Sequence, residues 1–118
     1  MPDTLPDLLN AVLAFRDERH WAQFHGLKHL MVSLCLEAAE VLELSQWKSD
    51  AETDALPLSP EGYEALSDEC ADVFAYLLLI ADKANIDLGA ALRRKLAKNA
   101  LKYPIEKSIG RREKYSQL

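Results

Sequence analysis

The sequence is poor in cysteine and glycine, and it lacks several common functional motifs. Of its 118 residues, two are cysteines and four are glycines. Cys35 and Cys70 do not form a CxxC pair, so we expect two reduced thiols in the core. The sequence contains neither a glycine-rich phosphate loop nor a G-x-S-x-G nucleophile motif. A phosphate ligand would therefore have to be held by other groups.

Positive charge and long apolar runs are also scarce. The net charge is −5, whereas a ligand of duplex nucleic acid normally needs a basic face. The longest uncharged apolar run, Val73 to Ala81, is much shorter than the roughly 20 residues of a membrane span. No charged segment followed by an apolar one opens the chain, as a signal peptide would. We therefore expect a soluble, cytoplasmic protein that binds neither duplex nucleic acid nor membrane.

Helical periodicity runs through the chain, whereas strand-like alternation never extends beyond a few residues. Capping residues and prolines set the ends of four predicted helices, which run from Thr4 to about Arg19, from about Leu27 to Trp47, from Pro60 to about Asn85 and from Asp87 to about Lys102. The residues from Arg16 to Arg19 are predicted to be an exposed helix end. The polar segment from Lys48 to Ser59 is predicted to be a flexible connection, and the tail from about Pro104 to be irregular or ordered by a partner.

These elements predict an all-α fold, a four-helix bundle. With 49% hydrophobic residues, the chain is long enough for one domain and too short for two, so we predict a single domain over residues 1–118. The second predicted helix is apolar around most of its circumference, more than neighbours within one subunit can cover. We therefore expect a homo-oligomer formed through the second and third predicted helices.

Two pairs of acidic residues with equal spacing lie in these apolar helices. Glu37 and Glu40, like Glu69 and Asp72, are three residues apart, which places both members of a pair on one side of their helix. Ionised carboxylates in apolar surroundings need a positive partner. A ligand set made only of oxygens, without Glu-x-x-His spacing, favours Mg²⁺ or Mn²⁺. The alternative is that the acids are solvated. Glu43 lies nearer the polar side and is at most an accessory acid.

Other residues supply what hydrolysis of a triphosphate needs beside a metal site. Metal ions neutralise phosphate oxygens, while lysines hold the rest of the polyanion. Lys95, Asn99 and Lys102 fall within about 40° of one another on the fourth predicted helix, although a row of lysines also suits a solvated face. Trp21, with Phe24, could stack on a nucleobase or could instead plug one end of the bundle.

The sequence resembles the MazG-like superfamily of all-α nucleotide pyrophosphohydrolases, and within it the dCTP pyrophosphatase branch. The resemblance covers nearly the whole chain and rests on the two acid pairs together with short motifs. These motifs are Arg19-His20-Trp21-Ala22-Gln23-Phe24-His25, Gln46-Trp47-Lys48-Ser49-Asp50, Asp72-Val73 with Tyr76-Leu77, Lys95 with Asn99, Lys102-Tyr103-Pro104, and Arg112 with Lys114-Tyr115. The chain departs from the branch at Lys28-His29, where Arg-Asn is usual.

The resemblance implies hydrolysis of a deoxynucleoside triphosphate between the α- and β-phosphates, giving the monophosphate and pyrophosphate, as a house-cleaning reaction. It implies that Mg²⁺, with Mn²⁺ as the other candidate, is bound by the catalytic acids Glu37, Glu40, Glu69 and Asp72. It further implies that His25, Trp47 and Tyr76 line the base and sugar pocket and that Lys95, Asn99 and Tyr103 help to hold the nucleotide. Trp21, Lys48 and Lys102 complete the set of predicted substrate-binding residues.

Two alternatives stay open: a related enzyme acting on dUTP or phosphoribosyl-ATP, and a non-catalytic helical dimerisation module. The expected assembly is a homodimer or a homotetramer. We place Trp47 at a subunit boundary, where its indole would stack on the base; a buried plug at the end of the second predicted helix is the alternative.

Overall fold

The computed structural model describes residues 1–117, and that range is helical with no β-strand. Its α-helices are α1 (Leu5–Glu18), α2 (Leu27–Glu43), α3 (Asp50–Asp54), α4 (Pro60–Ala84), α5 (Leu88–Lys102) and α6 (Ile105–Ser108). Single turns of 3-10 helix lie at Ala22–Phe24, Leu56–Leu58 and Tyr115–Gln117. Four of the helices are long, as predicted, and the all-α class is confirmed. In residues 1–117 no helix is both long and apolar enough to cross a membrane.

The chain divides into two compact units, Met1–Asn85 and Ile86–Leu118. In the first unit, α4 packs along α2, along α1 and against the Leu56–Leu58 turn. The core of this unit is small, with Leu30 of α2 fully buried and Leu78, Leu79 and Ala81 of α4 buried. Because α4 contacts every other long element of this unit, it fixes where residues of α1 and α2 meet.

The second unit consists of α5, α6 and the last 3-10 turn. Lys102, at the end of α5, places its Nζ 5.0 Å from the centroid of the Tyr115 ring. The ring of Tyr103 meets the same tyrosine edge-on, with centroids 6.1 Å apart. These contacts give the tail local structure.

Three of the long helices begin with a capping side chain, at or next to the residue where the sequence predicted the helix to start. The Asp7 N–H donates to Thr4 Oγ1 at 3.2 Å, and the Thr4 N–H donates to Asp7 Oδ2 at 3.0 Å. Ser59 Oγ accepts from the Gly62 N–H at 3.0 Å, one residue before Pro60 opens α4. Asp87 Oδ1 accepts from the Ala90 N–H at the start of α5. These oxygens satisfy N–H groups that have no partner within the helix.

Four predictions about local structure were wrong. First, α2 ends at Glu43 rather than Trp47, because the Ser45 hydroxyl donates to the Leu42 carbonyl at 2.7 Å and Trp47 takes a left-handed φ of 65°. Second, the connection that we expected to be flexible forms α3, whose Ser49 and Glu52 make a capping box. Third, the tail was expected to lack regular structure of its own, but helical turns form at Ile105–Ser108 and Tyr115–Gln117.

The cysteines are the fourth case. Both thiols are free, but both are exposed rather than buried in the core. Cys70 lines a surface groove between α2 and α4 together with Ala38, Val41 and Val73. The neighbours of Cys70 are apolar, but in the isolated chain this groove is not covered.

Gly62 permits the close approach of the Leu56–Leu58 turn to α4. It is buried, and a Cβ at this position would collide with the carbonyl oxygen of Leu56. Because only glycine lacks that atom, the connection between α2 and α4 folds back onto the helix that carries the second acid pair.

Candidate metal and nucleotide site

The four predicted metal ligands come together between α2 and α4. One carboxylate oxygen from each of Glu37, Glu40, Glu69 and Asp72 lies within 4.8 Å of the others. We refer to these four residues as the acid cluster. Glu37 and Glu69 are half-buried, whereas Glu40 and Asp72 are exposed. Glu43 lies outside the cluster.

Mutual repulsion and burial shift the protonation of the acid cluster. The pKa of Glu69 is raised from 4.5 to about 7, chiefly by hydrogen bonding with Glu40, then by burial and by the charges of the other three acids. Burial is the main cause that raises the pKa of Glu37, followed by hydrogen bonding with Glu40 and by its charge. A cluster whose members resist ionisation is one that a cation would stabilise.

The donor set of the acid cluster fits a hard divalent cation. Glu37 Oε2 and Glu69 Oε2 are buried, and neither has a hydrogen-bond partner within residues 1–117. Buried polar atoms without a partner are rare in folded proteins and call for an ion or water. Since every donor in the cluster is a carboxylate oxygen, the set suits Mg²⁺ or Mn²⁺ better than zinc or copper.

Two cavities lined by aromatic residues open beside the acid cluster. The inner cavity, about 230 Å³ in volume, is lined by Glu37 and Asp72 together with Val12, Phe15, Arg16, Trp21, His25, Ala75, Tyr76 and Leu79. The outer cavity, of about 460 Å³, is lined by Trp21, Phe24, His25, His29 and Tyr76. Trp21, His25 and Tyr76 line both, so three predicted substrate residues lie between the acid cluster and the outer cavity.

The surroundings of His25 favour the neutral form of its imidazole. Burial is the main cause that lowers its pKa below the usual 6.5, followed by electrostatic interaction with His29 and Arg16. Its ring stacks on that of His29, with centroids 6.1 Å apart. Its Nδ1 is buried and has no hydrogen-bond partner in the part of the chain that the structure describes. A neutral imidazole in this position offers one donor and one acceptor to a ligand.

The remaining predicted substrate residues lie elsewhere in the chain. Trp47 and Lys48 follow the end of α2, and Trp47 is 93% exposed, so it is not a buried plug within this chain. Lys95, Asn99 and Lys102 lie on α5 and Tyr103 directly after it, in the second compact unit. Their contact with a nucleotide stays a prediction.

Arg16 lies at the site but was not predicted from the sequence to do so. It was expected at an exposed helix end, but its side chain is only 20% exposed and it lines the inner cavity. The available signal was its spacing from Val12, which lies one helical turn earlier on the same face of α1. In the sequence, His29 stood out only because the dCTP pyrophosphatase branch usually has Asn at this position. The structure places His29 in the wall of the outer cavity.

The raised pKa values predict how the stability of the metal-free protein changes with pH. Between pH 4.5 and about 7 the folded state binds more protons at Glu69 than the unfolded chain does, so the free energy of unfolding should fall as the pH rises. Glu37 acts in the same direction, whereas the lowered pKa of His25 acts in the opposite direction.

The test is to measure the melting temperature of chelator-treated wild type and of Glu40→Gln between about pH 5.5 and about pH 7.5. Because His25 is present in both proteins, the difference between the two profiles isolates the contribution of the acid cluster. The wild type should lose more stability than the variant over this interval. If the melting temperatures of the two proteins changed in parallel with pH, the four acids would not influence one another's protonation.

Comparison with known proteins gives matches over almost the whole chain. The model of the MazG-like family matches residues 32–118, a range that includes the acid cluster. The chain is 38% identical to dCTP pyrophosphatase 1 of Rattus norvegicus over 115 residues, which is 98% of this chain and 68% of that protein. It is 36% identical to dCTP pyrophosphatase 1 of Homo sapiens over the same shares. The crystal structure of a pyrophosphatase from Archaeoglobus fulgidus matches with a TM-score of 0.79 at 38% identity, over 88% of this chain and 95% of that one.

Proposed function

The chain belongs to the MazG-like family, and we propose that it is a pyrophosphohydrolase that converts deoxynucleoside triphosphates, dCTP among them, to the monophosphate and pyrophosphate. The observation that supports this most directly is the acid cluster at the edge of an aromatic cavity. Relatives named dCTP pyrophosphatase support the choice of base. The proposed role is removal of unwanted nucleotides, in the cytoplasm.

The proposed cation is Mg²⁺, held by Glu37, Glu40, Glu69 and Asp72, with Mn²⁺ as the other candidate. When bound, the cation supplies positive charge that neutralises phosphate oxygens and polarises phosphorus. The two buried, unpartnered carboxylate oxygens among residues 1–117 support this assignment.

The walls of the inner cavity would bind the base and sugar. Trp21 and Tyr76 present aromatic surfaces on which a base can stack, and stacking on an aromatic side chain contributes about 1–3 kcal/mol. The apolar side chains of Val12, Phe15 and Leu79 exclude water from the same space. With the base held here, the triphosphate extends towards Glu37 and Asp72. For Lys48, Lys95, Asn99, Lys102 and Tyr103, contact with phosphate and sugar oxygens is proposed from the family resemblance alone.

Release of pyrophosphate from each deoxynucleoside triphosphate, with and without Mg²⁺, tests the proposal. Metal-dependent release of pyrophosphate and monophosphate in equal amounts is expected, with dCTP among the good substrates. Including dUTP and phosphoribosyl-ATP in the panel separates the related activities. No release from any of these compounds would instead favour a dimerisation module.

We also propose a homodimer or homotetramer formed through α2 and α4. Both helices expose large apolar side chains, among them Met31, Leu36, Leu42 and Leu77. Exposed apolar surface on this scale marks an interaction site in most proteins.

The single domain over residues 1–118 likewise stays a proposal, supported by a family match that extends through both compact units.

Replacing Trp47 by alanine should raise the Michaelis constant for dCTP about tenfold, if its indole stacks on the base from a subunit boundary. Thermal stability of the subunit should change little, because the side chain is 93% exposed. Leu58→Ala, at another largely exposed apolar residue between α2 and α4, is the matched control and should leave the constant unchanged.

Tryptophan fluorescence separates the two indoles. With dCTP titrated in the presence of Ca²⁺, chosen to bind without supporting turnover, quenching should weaken in Trp47→Ala. Quenching that is unchanged in this variant would assign the response to Trp21 and show that Trp47 does not contact the base.

A further inference from the structure

Arg16 is a fixed guanidinium in the wall of the inner cavity. Its Nε donates to Asp17 Oδ1 at 2.8 Å, and its Nη2 approaches the same oxygen at 2.8 Å. Its Nη1 lies 3.8 Å from Asp82 Oδ2, on α4. Asp17 therefore orients the group through a hydrogen bond, and Asp82, on α4, adds a longer ion pair.

The contacts of Arg16 leave hydrogen-bond donors for a ligand. A guanidinium has five N–H groups, and the side that carries Nε and Nη2 is taken by Asp17. At the other end of the group, Nη1 and Nη2 carry two parallel N–H groups. Among residues 1–117, the acceptor within hydrogen-bond distance of these nitrogens is Asp17 Oδ1, which lies on the Nε side of Nη2. Such a parallel pair matches two adjacent acceptors on a planar ligand.

The neighbouring residues favour a base over a phosphate as that ligand. The charge of Arg16 is already balanced by Asp17 and Asp82, so it adds little attraction for a polyanion. Val12, Phe15 and Trp21 give the same cavity flat, apolar walls. At about 230 Å³ the inner cavity is smaller than the roughly 300–1,000 Å³ typical of sites for whole drug-sized ligands, which suits one ring of the substrate.

We propose that Arg16 is a specificity-determining residue that donates its two parallel hydrogen bonds to O2 and N3 of cytosine, and so selects cytosine over uracil and thymine. In cytosine these neighbouring atoms are both acceptors. In uracil and thymine N3 carries a proton, so one of the two arginine donors would face another donor. This inference rests on the proposed hydrolysis of deoxynucleoside triphosphates.

His25 is placed to read the third group of the same base edge. It lines the inner cavity together with Arg16, and its buried Nδ1 has no hydrogen-bond partner among residues 1–117. The acceptor nitrogen of its neutral ring suits the exocyclic amino group of cytosine, which uracil and thymine replace by a carbonyl. Arg16 and His25 together would then match all three polar groups of the cytosine edge.

The test compares kcat/KM for dCTP, dUTP and dTTP, with Mg²⁺, in the full-length wild type and two variants. Arg16→Met removes the donors, and Arg16→Lys keeps the charge without the parallel pair. In both, the preference for dCTP over dUTP and dTTP should fall about 10- to 100-fold, as expected for loss of one bidentate base contact. Should Arg16→Met fail to fold, the ratio measured in Arg16→Lys decides.

Arg19→Met is the matched control, since Arg19 lies one residue past the same helix and stacks on Phe15, with its Cζ 3.6 Å from the ring centroid. It should leave the preference unchanged. An equal loss of kcat/KM for all three nucleotides in the Arg16 variants would indicate a phosphate contact or a structural ion pair and would overturn the inference. An unchanged preference for dCTP in these variants, or a wild type without that preference, would overturn it too. A wild type that releases pyrophosphate from no deoxynucleotide would overturn the proposed function as well, whereas an active wild type confines the failure to Arg16.

Discussion

Glu40→Gln should reduce the turnover of dCTP by at least about a thousandfold, which corresponds to about 4 kcal/mol of lost transition-state stabilisation. Glutamine has nearly the shape of glutamate but lacks the charge that a cation requires. Glu40 is the strongest choice because its carboxylate contributes to the raised pKa of both Glu37 and Glu69, so it interacts with the partners on either helix.

The fold should survive this substitution. Removing one of four acids that repel one another relieves strain in the metal-free protein, so its melting temperature should stay the same or rise. Glu43→Gln is the matched control, since Glu43 lies one turn further along α2 and outside the acid cluster. Near-normal turnover by Glu40→Gln at limiting Mg²⁺ would exclude Glu40 as a metal ligand.

Saturating Mg²⁺ should raise the melting temperature of the wild type. A ligand present at about 100 times its dissociation constant stabilises the folded state by roughly 2.7 kcal/mol. For a chain of this length that corresponds to roughly 10 °C. The effect should be larger at pH 8 than at pH 6, because Glu69, with a pKa of about 7, must lose its proton to bind the cation.

Screening by salt also relieves repulsion among acids, so the comparison needs NaCl at equal ionic strength. NaCl should give a much smaller shift than Mg²⁺, and Glu40→Gln should lose most of the Mg²⁺-specific part. Melting curves that respond equally to the two salts, even with a non-hydrolysable nucleotide present, would count against a shared metal site.

Local signals in the sequence predicted the helices well. Thr4, Ser59 and Asp87 start α1, α4 and α5 as expected, since a cap depends only on residues three positions apart. The same rule, applied to Ser49 and Glu52, would also have predicted α3, where we expected a flexible connection. The end of α2 was harder to predict, because the apolar pattern continues to Trp47 while the Ser45 hydroxyl and a left-handed φ end the helix earlier.

The acid pairs illustrate how far sequence reasoning reaches. Spacing within Glu37-x-x-Glu40 and within Glu69-x-x-Asp72 placed each pair on one side of its helix. That the two pairs meet within 4.8 Å depends on how α2 packs along α4, which no local pattern specifies. The expectation that the pairs share a cation came from their apolar surroundings, and the resemblance to the MazG-like superfamily, now confirmed, agreed with it.

By itself the sequence determined the helical class, most of the helix starts, the all-oxygen ligand chemistry and the family, because these depend on composition, on spacing along one helix and on motifs. The tertiary structure alone decided that Arg16 leaves the surface to join His25 and Trp21, and that the side chains of Cys35 and Cys70 stay exposed. The physical reason is that burial and protonation depend on which faces of different helices come together. That is set by packing between residues far apart in the chain, as Gly62 shows by admitting the Leu56–Leu58 turn against α4.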